Sequence, residues 1–209
     1  YVCSSDLAAG AYLSIPNTMS AINLDKDGDA VFLYQNGVLR DSVVFGHQIP
    51  DHTIGRLGPS ATWSLCTPTF DAANVAARLG DTGTLRINEW LASGNVLYDN
   101  DWIELSNTGA LPVALAGLHL TDNIIGDPAA HTIAPLSFIA AGGYLKFIAD
   151  GDPDAGATHL GFKLDGEQEQ IALLDGTTTL DAVFFYQQTT DYSMRSEEHT
   201  SELQSPNTI

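Results

Sequence analysis

Basic residues are the scarcest feature of this 209-residue chain: eight Lys and Arg stand against 26 Asp and Glu, giving a formal net charge of −18. A nucleic-acid partner needs a footprint of Lys and Arg against phosphate, and eight such residues cannot lay one down. Docking on an anionic membrane surface is disfavoured for the same reason. Long apolar runs are missing too. None approaches the roughly 18–20 residues that span a bilayer, so no membrane insertion is expected. Cysteine is limited to Cys3 and Cys66, and neither sits in a CxxC pair or a Cys/His spacing that would hold a metal. The two thiols either bridge in an oxidising compartment or stay free and buried, the second being the simpler reading. Position 1 is Tyr rather than Met, and no signal-peptide pattern opens the chain, which reads as a fragment.

Hydrophobic residues make up 44% of the sequence and the mean hydropathy is zero, which is enough to build a packed core. The apolar residues fall in short β-branched and aromatic runs. Ala30-Val31-Phe32-Leu33-Tyr34, Trp102-Ile103-Glu104-Leu105 and Tyr144-Leu145-Lys146-Phe147-Ile148 are examples. Turn residues punctuate them, among them Asn36-Gly37, Gly142-Gly143 and Asp175-Gly176. Strands recurring this often, with no long 3.6-residue period between them, predict an all-β antiparallel sandwich or barrel. Alternation predicts Ile87, Ile103, Leu105, Leu118, Leu120, Leu145, Phe147, Leu164, Ile171, Leu173, Val183 and Phe185 inside. One stretch, 71–79, tolerates a helix, and Gly80-Asp81-Thr82-Gly83 after it reads as a flexible connector.

The chain also repeats itself. At a shift of 140 residues Leu24-Asp25 falls on Leu164-Asp165, Leu33 on Leu173, Asp41 on Asp181, Phe45 on Phe185 and Gln48 on Gln188. Upstream, Ala8-Ala9-Gly10-Ala11-Tyr12-Leu13 matches Ala140-Ala141-Gly142-Gly143-Tyr144-Leu145 at a shift of 132. Extra residues around 150–156 account for the difference, since loops absorb insertions while strands keep register. The expected organisation is the C-terminal half of a first domain over 1–79, a linker at 80–83, and a second domain over 84–194 lacking its C-terminal end. Val31, Leu33, Val43 and Phe45 are expected in the inward places of Ile171, Leu173, Val183 and Phe185. A half sandwich leaves strand edges and an apolar face uncovered, so the first unit should be the looser one.

Leu85-Arg86-Ile87-Asn88-Glu89-Trp90-Leu91-Ala92-Ser93 resembles the opening strand of the bacterial lamin-tail domain. Asp101-Trp102-Ile103-Glu104-Leu105-Ser106-Asn107-Thr108-Gly109 is similar to its second strand, and the run from Pro112 to Leu118-His119-Leu120-Thr121-Asp122 to the next. Gly142-Gly143-Tyr144-Leu145 and Gly161-Phe162-Lys163-Leu164 continue in the family's order, and Thr53-Ile54-Gly55-Arg56, Trp63, Pro68-Thr69 and Asn74 resemble its end. Trp90, where an aliphatic residue is usual, and Phe70-Asp71, in place of Pro-Gly, depart from the pattern. The resemblance implies tandem immunoglobulin-like β-sandwiches without an active site. In bacteria such domains look like accessory modules of secreted or surface proteins. The filament role of the animal relatives does not carry over, because no sustained heptads occur. Residues 195–209 resemble instead the translation of a sequencing-library adapter on an environmental read, and are expected to be a non-native or disordered tail without function.

Acidic turns invite a calcium reading, because alternating carboxylates supply hard oxygen ligands. Asp25, Asp27 and Asp29 form one such turn and Asp150, Asp152 and Asp154 another. A calcium loop of the EF-hand kind would need Gly and Glu where Ala30 and Asn36 stand, so solvated turns are expected, with calcium at most weakly bound and no other cofactor. Asp101 and Glu104 share a strand but project to opposite faces and cannot act as a carboxylate pair. The six histidines are scattered, and His47 and His52 have no third ligand in sequence for zinc. No Gly-x-Ser-x-Gly elbow or phosphate loop appears. The expectation is therefore a non-catalytic binding or spacer module, extracellular or on the cell surface, with a protein or carbohydrate partner. Two alternatives stand beside it: an accessory domain of a secreted enzyme whose catalytic part is elsewhere, or a calcium-stabilised adhesin repeat.

Overall fold

A computed structural model describes residues 7–16 and 22–196. The N-terminal part forms a hairpin of β1 (Asp29–Gln35) and β2 (Val38–Phe45). A three-stranded sheet follows in the order β3 (Thr53–Leu57), β4 (Thr62–Thr67), β5 (Val75–Ala76). The hairpin turns at Asn36 and Gly37, whose φ angles of 51° and 77° lie in the left-handed region that Asn and Gly tolerate best. The helix-tolerant stretch supplies β5 instead: Val75 pairs with Thr67 and Ala76 with Cys66. Tertiary pairing overrides the modest helical preference of its alanines. The expected connector is also tied down. Gly80 N donates to Pro112 O (2.8 Å), Asp81 Oδ1 accepts from Gly83 N (2.7 Å), and Thr82–Thr84 form a 3-10 turn.

The strands that follow are β6 (Leu85–Leu91), β7 (Asp101–Asn107), β8 (Val113–Ala114), β9 (His119–Thr121), β10 (His131–Thr132), β11 (Phe138–Ile139), β12 (Tyr144–Ala149), β13 (Gln168–Asp175), β14 (Thr178–Tyr186) and β15 (Met194–Arg195). They form two four-stranded antiparallel sheets, ordered β12–β7–β6–β15 and β10–β9–β13–β14, with β8 and β11 as a short separate ladder. Alternate residues of both sheets meet in one core: Ile87, Trp90, Leu105, Phe147, Leu173 and Phe185 are each at most 1% exposed. Each such burial stabilises the fold by about 1.5–3 kcal/mol relative to exposure. Of the expected inward positions in this part, only Val183 is not fully buried, remaining partly accessible on β14. Trp90, the departure from the family pattern, lies at the centre with its ring 5.6 Å from that of Phe185. The chain is an all-β, immunoglobulin-like sandwich, with no α-helix among the described residues.

A bulge at Asn88 breaks the β6–β7 register between Ile87 and Glu89. The Ile87 N–H that this frees from the ladder donates across the sandwich to Asp181 Oδ2 on β14 (2.8 Å). Glu89 then stands directly opposite Glu104, a like-charge pairing that would cost stability if left alone. Asn88 Nδ2 donates to Glu104 (2.7 Å), while Ser193 Oγ (2.5 Å) and Arg195 Nε (3.3 Å) donate to Glu89. Arg195, expected in the tail, is thus a member of the sheet.

The two hairpins coincide in detail. Asp29 pairs with Phe45 as Glu169 pairs with Phe185, Val31 with Val43 as Ile171 with Val183, and Leu33 with Asp41 as Leu173 with Asp181. Both registers slip immediately afterwards, after Leu33 and after Leu173. Gln48 N donates to Lys26 O, and Gln188 N to Gly166 O, each at 2.7 Å. Even the upstream turns agree: Ala11 N to Ala8 O and Gly143 N to Ala140 O are both 3.0 Å, with positive φ at Gly10 and Gly142. The expected in/out pattern holds only in part. Phe45 is buried and Val43 half-buried, but Val31 is 36% and Leu33 61% exposed, because no second sheet lies over β1 among the described residues. The first hairpin is fixed to the second unit at one end. Gly46 N donates to Pro135 O (2.8 Å), Phe138 N to His47 O (2.9 Å), and Ile49, Leu65 and Phe138 pack together.

Candidate functional site

The acidic turns are held by their own backbone. Asp25 Oδ1 accepts from Asp27 N (2.9 Å), Asp29 Oδ2 from Asp25 N (3.3 Å), and Asp29 Oδ1 from Ala30 N (2.7 Å). Asp27 accepts from Lys26 Nζ (2.7 Å) and His47 Nδ1 (2.8 Å). Burial alone would raise its pKa, but these two partners outweigh that and hold it below the usual carboxylate range. In the other turn Asp150 accepts from Asp152 N (3.0 Å) and His159 Nδ1 (2.7 Å). These bonds likewise overcome burial and lower its pKa. Asp152 caps a short 3-10 turn without a side-chain bond, and Asp154 is exposed in its first turn. Among the described residues no three His, Cys, Asp or Glu side chains converge as a metal-ligand set.

A different group of carboxylates gathers at one end of the sandwich. Asp101 begins β7, Asp122 follows β9, Asp165 precedes β13 and Glu169 is the second residue of β13. Glu169 is half-buried, and its pKa is pushed up to about 7, first by burial and then by the charges of Asp122, Asp165 and Asp101. A hydrogen bond from Asp165 N (2.6 Å) opposes the shift. Burial raises Asp101 and Asp122 in the same direction. At the shift of 140 Glu169 falls on Asp29, which by itself marks no cluster. The available signal was that each of these carboxylates lies at a strand end, but 68 positions separate the outermost two in the chain. Asp101 accepts from Gly94 N (3.0 Å) and Glu104 from Asn88 Nδ2 (2.7 Å).

The remaining histidines are spread over turns and strands. His52 Nδ1 lies 2.9 Å from Pro50 O and His119 Nδ1 3.0 Å from Thr132 Oγ1. His131 is partly buried beside Phe147, and burial, assisted by His119, lowers its pKa. His199 and Cys3 lie outside the described residues. Cys66 is buried, with its thiol pKa raised by burial.

One concavity is mainly apolar. A groove of about 510 Å³ lies over the uncovered face of the first hairpin, walled by Leu24, Val31, Val43, Phe45, Ile54 and Trp63. The Arg56 guanidinium lies 4.4 Å above the Trp63 ring and 2.5 Å from Asp41 Oδ1.

Residues 80–188, just over half of the chain, match the family model of the Lamin Tail Domain. Comparison with curated proteins and with solved structures gave no match. The matched span covers β6 to β14, with both sheets and the buried core between them. That family is a non-catalytic, immunoglobulin-like module. The chain belongs to the lamin tail domain family.

Proposed function

We propose that this chain is a non-catalytic binding or spacer module from a secreted or surface-exposed bacterial protein with several domains, carrying two lamin-tail units in tandem. Residues 1–79 are the later half of the first unit, 80–83 the link, and 84–194 the second unit. The observation that carries the reading is the duplicated hairpin, matched in register, bulge and backbone hydrogen bonds. Repetition of one supersecondary unit suits a module that extends or presents a surface. The net charge of −18 supports solubility and resistance to self-association outside the cell. A protein or carbohydrate surface is the partner class that suits such a module, and neither nucleic acid nor a metal cofactor is required for it.

Recovery of the gene around this segment tests the reading. An export signal with further sandwich or surface-anchoring domains is the expected context. A frame that encodes a cytosolic protein, with no export signal, would overturn the location. Turnover of ester, glycoside or phosphate substrates by the purified chain, lost on a single substitution in the acidic cluster, would overturn the non-catalytic role.

A further inference from the structure

The second unit shows what covers the apolar face of its hairpin. Ile171, Leu173 and Phe185 are fully buried beneath β6 and its neighbours. Strand β6 contributes three things: Trp90 stacks on Phe185, the bulged Ile87 N–H reaches Asp181 Oδ2, and the outer edge pairs with β15, Met194 opposite Trp90. At the shift of 140 every receiving group has a counterpart in the first unit. Phe45 stands for Phe185, Asp41 for Asp181, Ile54 for Met194 and Thr53 for Ser193.

Phe45 is itself buried and reaches the surface only at the groove it lines, while Asp41 is exposed and β3 stands at a sheet edge. Asp181 Oδ1 accepts from the following residue's N–H (3.0 Å), and Asp41 Oδ1 does the same (2.9 Å). Asp41 Oδ2 has no hydrogen bond among the described residues, whereas the equivalent oxygen of Asp181 holds β6. Strand β3 pairs with β4 on one side only, so its other edge has no strand beside it among the described residues. The groove walled by Val31, Phe45 and Ile54 lies in the place that β6 fills in the second unit.

We propose that this groove and the open edge of β3 form a strand-acceptor slot, which takes an extended polypeptide strand of the β6 pattern supplied from outside these 209 residues. The incoming strand runs antiparallel to β3 and continues the β3–β4–β5 sheet. Its aromatic residue lies opposite Ile54 and stacks on Phe45, and the N–H of its bulge donates to Asp41 Oδ2. Main-chain hydrogen bonds provide affinity, and the apolar groove selects the sequence. The inference rests on the tandem reading above. Failure of the peptide to bind, with the two hairpins still superposing, would remove the slot and leave that reading intact.

The probe is a labelled synthetic peptide of the 84–92 sequence, Thr84 to Ala92, titrated into the full chain. Saturable one-to-one binding is expected, with amide shifts along Thr53–Leu57. Asp41→Ala and Val31→Asp, the latter at an already accessible position, should each weaken binding at least tenfold. Asp181→Ala should leave it unchanged, and a scrambled peptide should not bind. No binding at millimolar peptide would overturn the proposal. So would binding lost in Asp181→Ala but not in Asp41→Ala, which would mean exchange with the chain's own β6. Concentration-dependent dimerisation abolished by Val31→Asp would also overturn it, by giving the face to a second copy.

Discussion

Replacing Glu169 by Gln should stabilise the protein at alkaline pH and leave it unchanged in acid. In the unfolded chain this carboxyl titrates near 4.5, and in the fold near 7. Between those values the folded state holds a proton that the unfolded state has released, so stability falls as pH rises through the window and the full cost is present above it. A shift of that size would be worth about 3 kcal/mol for a fully enclosed group. Glu169 is only half-buried, and solvent screening reduces the figure to about 1 kcal/mol. The Gln oxygen can still accept from Asp165 N, so the substitution removes charge without orphaning the donor. Thermal unfolding of parent and variant at pH 8 should differ by roughly 2–4 °C in favour of Gln, and at pH 4 by nothing measurable. Other carboxylates that titrate in acid cancel in the comparison. An equal gain at both pH values, or none at pH 8, would refute the electrostatic reasoning.

Three further outcomes are expected. Phe185→Ala should cost about 3–5 kcal/mol in urea unfolding, and Phe45→Ala less than half as much, because only the first of the pair is sealed between two sheets; equal costs would show that the first hairpin is covered after all. Asp191 accepts from Asn95 N (2.8 Å) and Val96 N (3.1 Å), and these bonds, Asn95 first, hold its pKa down. Asp191→Ala should therefore lower the protection factors of the Asn95 and Val96 amides, as should lowering the pH of the parent through that depressed pKa once the intrinsic exchange rate is divided out; unchanged protection would dismiss the carboxylate as the loop's anchor. Millimolar calcium should move the melting temperature by well under about 10 °C, since a larger shift would imply several kcal/mol of linked binding at turns whose oxygens already accept backbone N–H groups.

The strands of the second unit were legible because period-two alternation and turn residues are local signals, and Leu145 and Phe147 on β12 show how cleanly they read. Internal repetition gave more, since matching Asp41 to Asp181 fixed the same register and slip in both hairpins. What escaped was anything that depends on distant neighbours. Val31 and Leu33 carry an inward pattern, yet burial needs a second layer, and alternation says nothing of whether one is present. Residues 75–76 pair as a strand although their alanine-rich surroundings tolerate a helix, because β4 offers an unpaired edge. The carboxylates around Glu169 come together only once β7, β9 and β13 are assembled. Arg195 looked foreign beside the polar run after it, and its pairing with Glu89 spans 106 positions.

That last separation has a consequence in time. Strand β6 sits between β7 and β15, and β15 is the last of the described strands to leave the ribosome. At about 5–20 residues per second, β6 waits roughly 5–20 s for its second neighbour. During that interval one side of β6 is an open template, and the charged pair Glu89 and Glu104 faces the solvent without Arg195. Glu89 on the waiting strand, with Glu104 beside it on β7, repels a second nascent chain in the same condition. The charge repulsion that β15 must later neutralise is thus what keeps newly made chains apart until each can close on itself.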